Sequence, residues 1–92
     1  MKFLMYDGQR TYEVAWSYYV SLRREILFIV PALVPEVAYT VEVLLGSDFW
    51  DPLNDDTKKL SGRCVAHMVR HGEVPLRRVG CRHKYPARYA LK

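Results

Sequence analysis

Apolar residues fall in short runs broken by turn-forming residues, and the spacing inside the runs changes along the chain. Lys2–Tyr6 is a short, mostly apolar stretch followed at once by Asp7-Gly8, a dipeptide that favours tight turns, so the N-terminus reads as a β-hairpin. From Thr11 two periods compete. Tyr12, Val14, Trp16, Tyr18, Val20 and Leu22 alternate as a strand would, whereas Ala15, Tyr19, Leu22, Ile26 and Ile29 keep helical spacing. The balance predicts a strand to about Trp16 and a helix from Ser17 that ends near Pro31, because proline breaks the helical hydrogen-bond ladder.

Pro31 and Pro35 bracket a short extended link that leads through Ala38-Tyr39 to Thr40. Thr40 is a good N-cap and Gly46 tolerates positive φ, which predicts a helix of less than two turns over Val41–Leu45. The connection Ser47–Leu53 carries Phe49 and Trp50, two rings expected to fill space between helices. The clearest element follows. Asn54 or Asp55 caps a helix running from about Asp56 to His71, Asp55 and Asp56 suit its positive end, and Gly72 stops it. Leu60, Cys64, Val65, Met68 and Val69 form its apolar face, while Lys59, Arg63, His67 and Arg70 share a separate stripe about 80° wide at 100° per residue. Gly62 costs this helix on the order of 1 kcal/mol relative to alanine. Beyond Gly72 the period shortens: Glu73–Val79 and Tyr85–Leu91 read as two strands around the turn Gly80–Lys84.

Composition adds one decisive feature. The 92 residues are 50% hydrophobic and 26% charged, as expected of one globular domain over 1–92, and no internal repeat or linker divides them. The longest apolar run, Ile26–Val34, has nine residues including Pro31, well short of the ~20 that a membrane helix needs. Asp7-Gly8 directly after Met1–Tyr6 leaves no signal-peptide core, and two cysteines are too few to staple a secreted miniprotein, so a reducing, cytoplasmic setting is expected. The net charge of +4 conceals a strong division. Residues 1–57 hold four basic and nine acidic groups, a balance of −5, whereas residues 58–92 hold ten basic groups and the single acid Glu73, a balance of +9. All three histidines also lie in the second part. Such a division points to a polyanionic partner.

From Leu22 onward the order is helix, extended link, short helix, aromatic connection, long helix and two-stranded basic hairpin. This order resembles a winged helix-turn-helix domain over about 70 residues, at the level of pattern alone. Leu22–Leu27 corresponds to its first helix, Tyr39–Gly46 to its second, Lys58–His71 to its recognition helix and Val74–Leu91 to its wing. Pro31, and a Gly46–Asn54 connection longer than a tight turn, depart from the pattern. The resemblance implies an α+β, winged-helix-like fold of three helices and a C-terminal hairpin, with residues 1–20 as an N-terminal extension. It also implies a DNA-binding regulator. Lys59, Arg63, His67 and Arg70 would face the major groove, Lys58 would reach a phosphate, and Arg77, Arg78, Arg82, Lys84 and Arg88 would track the backbone or enter the minor groove from the wing. Arg63 is the residue expected to touch a base, since its planar fork matches guanine O6 and N7. One recognition helix covers a half-site, which allows a homodimer on duplex DNA.

The rival reading is a protein-interaction module, or a small inhibitor of the mobile-element type, that meets an acidic protein or nucleoprotein surface; Trp16, Tyr18 and Tyr19 would then form an exposed patch. A metal centre is the weaker alternative. Cys64, His67 and His71 share one helix face and Cys81 and His83 follow on the hairpin turn, but no CxxC pair is present and Cys64 points to the core, so no metal or cofactor is expected. A Cys64–Cys81 disulfide has only the cysteine count behind it. Cys81, among Arg82, His83 and Lys84, has surroundings that favour a thiolate. With no Gly-rich phosphate loop, nucleophile elbow or HExxH, an enzyme is not expected.

Overall fold

Local sequence signals account for most of the element boundaries in the structure, a computed structural model that describes residues 1–80 and 86–92. The N-terminal hairpin pairs β1 (Lys2–Tyr6) with β2 (Thr11–Ala15), antiparallel and in register from Lys2↔Ala15 to Tyr6↔Thr11. Asp7 shapes its turn: the carboxylate accepts the amides of Gln9 at 2.9 Å and Arg10 at 2.8 Å, and Gly8 takes φ 97°. Helix α1 (Trp16–Ile29) follows without a break, one residue earlier than the sequence predicts. It has no side-chain cap, and its Trp16 amide instead donates to the Met1 carbonyl at 3.0 Å. Pro31 converts its end into a 3₁₀ turn over Val30–Ala32.

The link then forms a strand that the sequence left as simply extended: β3 (Tyr39–Thr40). Thr40 caps α2 (Val41–Leu45), accepting the Val43 amide at 3.4 Å, and Gly46 closes it at φ 83°, as predicted. The aromatic connection is not wholly irregular. Its residues Ser47–Trp50 make one helical turn, α3, so the described residues hold four α-helices instead of three. Phe49 and Trp50 pack half-buried against the core. Helix α4 (Asp55–Arg70) is capped by Asn54, whose side chain accepts the Thr57 amide at 2.8 Å. Gly72 at φ 69° ends it, with the Glu73 amide returning to the Met68 carbonyl at 2.9 Å.

The C-terminal strands are shorter than predicted, β4 at Leu76–Val79 and β5 at Arg88–Leu91, and Cys81–Tyr85, which hold most of the expected turn and the start of the expected second strand, lie outside the described residues. β5 sits in the middle of a three-stranded antiparallel sheet of order β3-β5-β4, with Tyr39↔Tyr89 on one side and Arg78↔Tyr89 on the other. The fold is therefore α+β with two small antiparallel sheets, and no helix among the described residues is long and apolar enough to cross a membrane.

One core joins these parts. Tyr19, Leu22 and Ile26 of α1 meet Leu44 and Leu45 of α2, Cys64, Val65 and Met68 of α4, and Leu76 and Tyr89 of the sheet. Met5 and Val14 bring the N-terminal hairpin into the same cluster. Leu60 and Val69, assigned to the apolar face of α4, lie at its edge, and Ser61 takes a fully buried place beside it. The buried Ser61 hydroxyl donates to the Thr57 carbonyl and sits 2.7 Å from the Tyr18 hydroxyl, so its polarity is satisfied. The aromatic patch expected of the rival reading is not exposed. Tyr19 is fully buried, and Trp16 and Tyr18 are half-buried against the core, because the helical period wins from Trp16 onward and turns these rings inward.

A clamp between the ends of α1 and α4 completes the frame. The Tyr19 hydroxyl lies 2.8 Å from both carboxylate oxygens of Glu73, and Arg23 Nη1 reaches the same carboxylate at 2.8 Å. The Arg23 guanidinium also lies over the Trp16 and Tyr19 rings at 5.7 and 5.8 Å. Burial, and then the Glu73 carboxylate, push the Tyr19 hydroxyl well above its ordinary range, so it stays protonated and donates.

Candidate nucleic-acid interface

Helix α4 presents its polar residues to two different neighbours. On one side it forms a groove of about 610 Å³ with the start of α2, with Trp50 of α3 and with the sheet. Three cations of α4 line it, Lys58, Lys59 and Arg63, and Arg78 lines it from β4. Its floor is apolar: Trp50, Gly62, Ala66, Ala87 and part of the buried Tyr89. Glu42 is the one acidic residue in the lining. Lys59, Gly62, Arg63 and Ala66 recur at helical spacing, so cations and small residues share one face. A Cβ placed on Gly62 would meet no atom within 4 Å, which leaves the groove open above the helix backbone. The Lys58 ammonium sits 5.7 Å from the centre of the Trp50 ring and holds that wall of the groove together.

On the other side the N-terminal hairpin lies against α4. Phe3 meets the His67 ring edge-on with centroids 5.3 Å apart, Tyr12 stacks 4.5 Å from the Arg63 guanidinium, and Arg70 Nη1 lies 3.4 Å from the Tyr6 carbonyl. The stripe read as one solvent-facing surface is thus divided. Lys59 and Arg63 reach the groove, whereas His67 packs against the hairpin and the exposed Arg70 reaches its Tyr6 carbonyl.

His67 differs most from the expectation. Its ring is half-buried between Phe3, Tyr19 and His71, and its Nδ1 is buried without a hydrogen-bond partner among the described residues. Burial, and then the neighbouring His71, lower its pKa, which favours the neutral ring at neutral pH and weakens any role as a phosphate contact. The C-terminal hairpin, expected to act as a wing, is divided as well. Successive strand residues point to opposite faces, so Arg77, which pairs with Ala90, and Arg88 lie on the face away from Arg78 and Tyr89. Arg82 and Lys84 fall outside the described residues.

The groove floor leaves little trace in the sequence. The spacing of Gly62 and Ala66 between cations was its one local signal, while Trp50, Ala87 and Tyr89 arrive from distant segments. The cysteine and histidine chemistry is also clear. Cys64 is fully buried, and burial pushes its thiol up to about 12, which makes it inert core. His67 and His71 rings stand 4.2 Å apart, but no group of three His, Cys, Asp or Glu residues gathers in metal-holding geometry among the described residues. Cys81 and His83, and with them the disulfide and the reactive thiol considered above, lie outside the described residues.

Comparison with known proteins gives no match among family models, curated proteins or solved structures.

Proposed function

We propose that this protein binds duplex DNA as a small transcriptional regulator of winged-helix type, with α4 as its recognition helix and the β4–β5 hairpin as its wing. The observation that carries this reading is the convergence of Lys58, Lys59 and Arg63 from α4 and Arg78 from β4 on a single groove, in the half of the chain that holds ten basic groups and one acid. Cations from two elements around one concavity suit a phosphate backbone, and a helix edge between them suits base contacts. The element order supports the same reading: a helix, a short strand, two further helical elements, the long helix and a hairpin whose second strand pairs back with that short strand.

Binding of a fluorescent duplex of mixed sequence, titrated from low to moderate salt, tests this. Affinity is expected to fall steeply with salt, and Lys59→Ala is expected to reduce the slope of log K against log salt by about one phosphate contact, near 0.9. No affinity for duplex at low salt would refute it.

A protein partner is favoured by a different feature. Phe28 is 82% exposed and Leu27 45% exposed at the end of α1, away from the groove lining. Loss of a stoichiometric protein complex on Phe28→Ser, with duplex binding absent, would make that the better reading.

A further inference from the structure

We propose that the N-terminal hairpin is a positioning part of the nucleic-acid interface, in which Tyr12 holds the Arg63 guanidinium at the edge of the α4 groove in the orientation that meets a base; this rests on the duplex-binding reading above.

Arg63 occupies a singular place on α4. At 100° per residue, Lys59, Gly62 and Ala66 precede it on the groove side and His67 follows it on the hairpin side. It is therefore a lining residue of the groove and also a cation over the hairpin, its guanidinium carbon 4.5 Å from the centre of the Tyr12 ring, a distance that suits stacking. Stacking uses the flat face of a guanidinium. Its hydrogen-bond donors lie in the plane, so a stacked arginine keeps the fork that matches guanine O6 and N7.

Tyr12 is a firm support. Its cross-strand partner Met5 is buried in the core, and Phe3, two residues further along β1, packs on His67. Asp7 at the hairpin turn adds a fixed charge nearby. The amides of Arg10 and Gln9 hold its carboxyl below the ordinary carboxylate value, and the Tyr12 hydroxyl and the Arg63 charge act in the same direction. An unsupported arginine on a helix surface samples many rotamers and loses that freedom on binding. A ring placed under it removes part of this cost before DNA arrives. The hairpin thus stands to α4 as a support for one side chain, a role that the recognition helix and wing do not supply.

The test is a double-substitution cycle on two duplex probes: one selected by the wild-type protein from a pool randomised over one helical turn, and one scrambled. Tyr12→Leu keeps apolar bulk and removes the stacking face, and is expected to weaken binding to the selected duplex about 3- to 10-fold, with a smaller effect on the scrambled one. Tyr12→Phe is expected to bind like the wild type. In an Arg63→Ala background, Tyr12→Leu is expected to have no further effect. Equal losses with and without Arg63, a loss not rescued by phenylalanine, or tighter binding by Tyr12→Leu would overturn the proposal and leave duplex binding standing. No binding of either probe by the wild type would remove both.

Discussion

The two hairpins both reach the core beside helix α4 but leave its two polar flanks in different states. The N-terminal one closes on it, setting Phe3 against His67 and Tyr12 against Arg63 while Met5 and Val14 enter the common core. The C-terminal one sends Leu76 and Tyr89 into that same core beside α4, yet leaves a groove of about 610 Å³ with Arg78 and Tyr89 on its side and Lys59 and Arg63 on the helix. Both hairpins are antiparallel, so the mode of strand pairing does not explain the contrast. What differs is the side chain that each places toward α4. Phe3 and Tyr12 reach across and fill the space, whereas on the groove side small residues, Gly62, Ala66 and Ala87, leave it open. A filled flank contributes stability, and an open flank lined with cations offers a place for a partner.

The largest expected effect comes from the closed flank. Met5→Ala is expected to lower stability by about 2–5 kcal/mol, the range for truncating a buried methionine, as measured by urea unfolding. A loss below half a kilocalorie would mean that the hairpin is not anchored. Next comes the open flank. Arg63→Ala is expected to weaken binding to a preferred duplex by roughly 1–3 kcal/mol while changing stability little, since the side chain is exposed. Equal loss on all sequences would reduce Arg63 to a phosphate contact.

Gly62→Ala sharpens the comparison from within the groove. It should raise stability by about 0.5–1 kcal/mol through helix propensity, because the added methyl meets nothing. A destabilised Gly62→Ala protein would show that the groove is closed in solution. The smallest expected effect is a pH dependence. His67 has a lowered pKa in the folded protein, so the unfolded chain binds its proton first, and stability should fall as pH drops through the ordinary histidine value of 6.5. His67→Gln should flatten that slope in denaturant melts taken at several pH values.

Much of this architecture could be seen in advance where a boundary has a local cause. Asn54 and Gly72 delimit α4, Thr40 and Gly46 delimit α2, and Asp7-Gly8 turns the first hairpin, each through hydrogen bonds or positive φ within a few residues. Features with distant causes were hidden. β3 is two residues long and exists as a strand only because β5 pairs with it, some fifty positions later. The turn α3 follows from the Gly46 backbone carrying the chain straight into a new helical start. A helical wheel separates the Lys59–Arg70 stripe from the core face, but a wheel drawn for one helix cannot reveal that another part of the chain, the N-terminal hairpin, half-buries His67 and borders Arg63 and Arg70. The charge division was visible at once, and its concentration at four side chains around one groove required the fold.

Glu73 gives that charge a further consequence. It is the lone carboxylate of residues 58–92, and it is turned onto Tyr19 and neutralised by Arg23, a cation borrowed from the acidic half of the chain. The basic half therefore keeps none of its own acid to cancel its outward field. A polyanion approaching from a distance meets this field before it meets any single side chain, which speeds encounter at low ionic strength and makes the rate of association, more than the lifetime of the complex, the quantity that salt controls. The partly buried ion pair between α1 and the segment after α4 thus leaves the positive field of residues 58–92 uncancelled by any acidic side chain of its own.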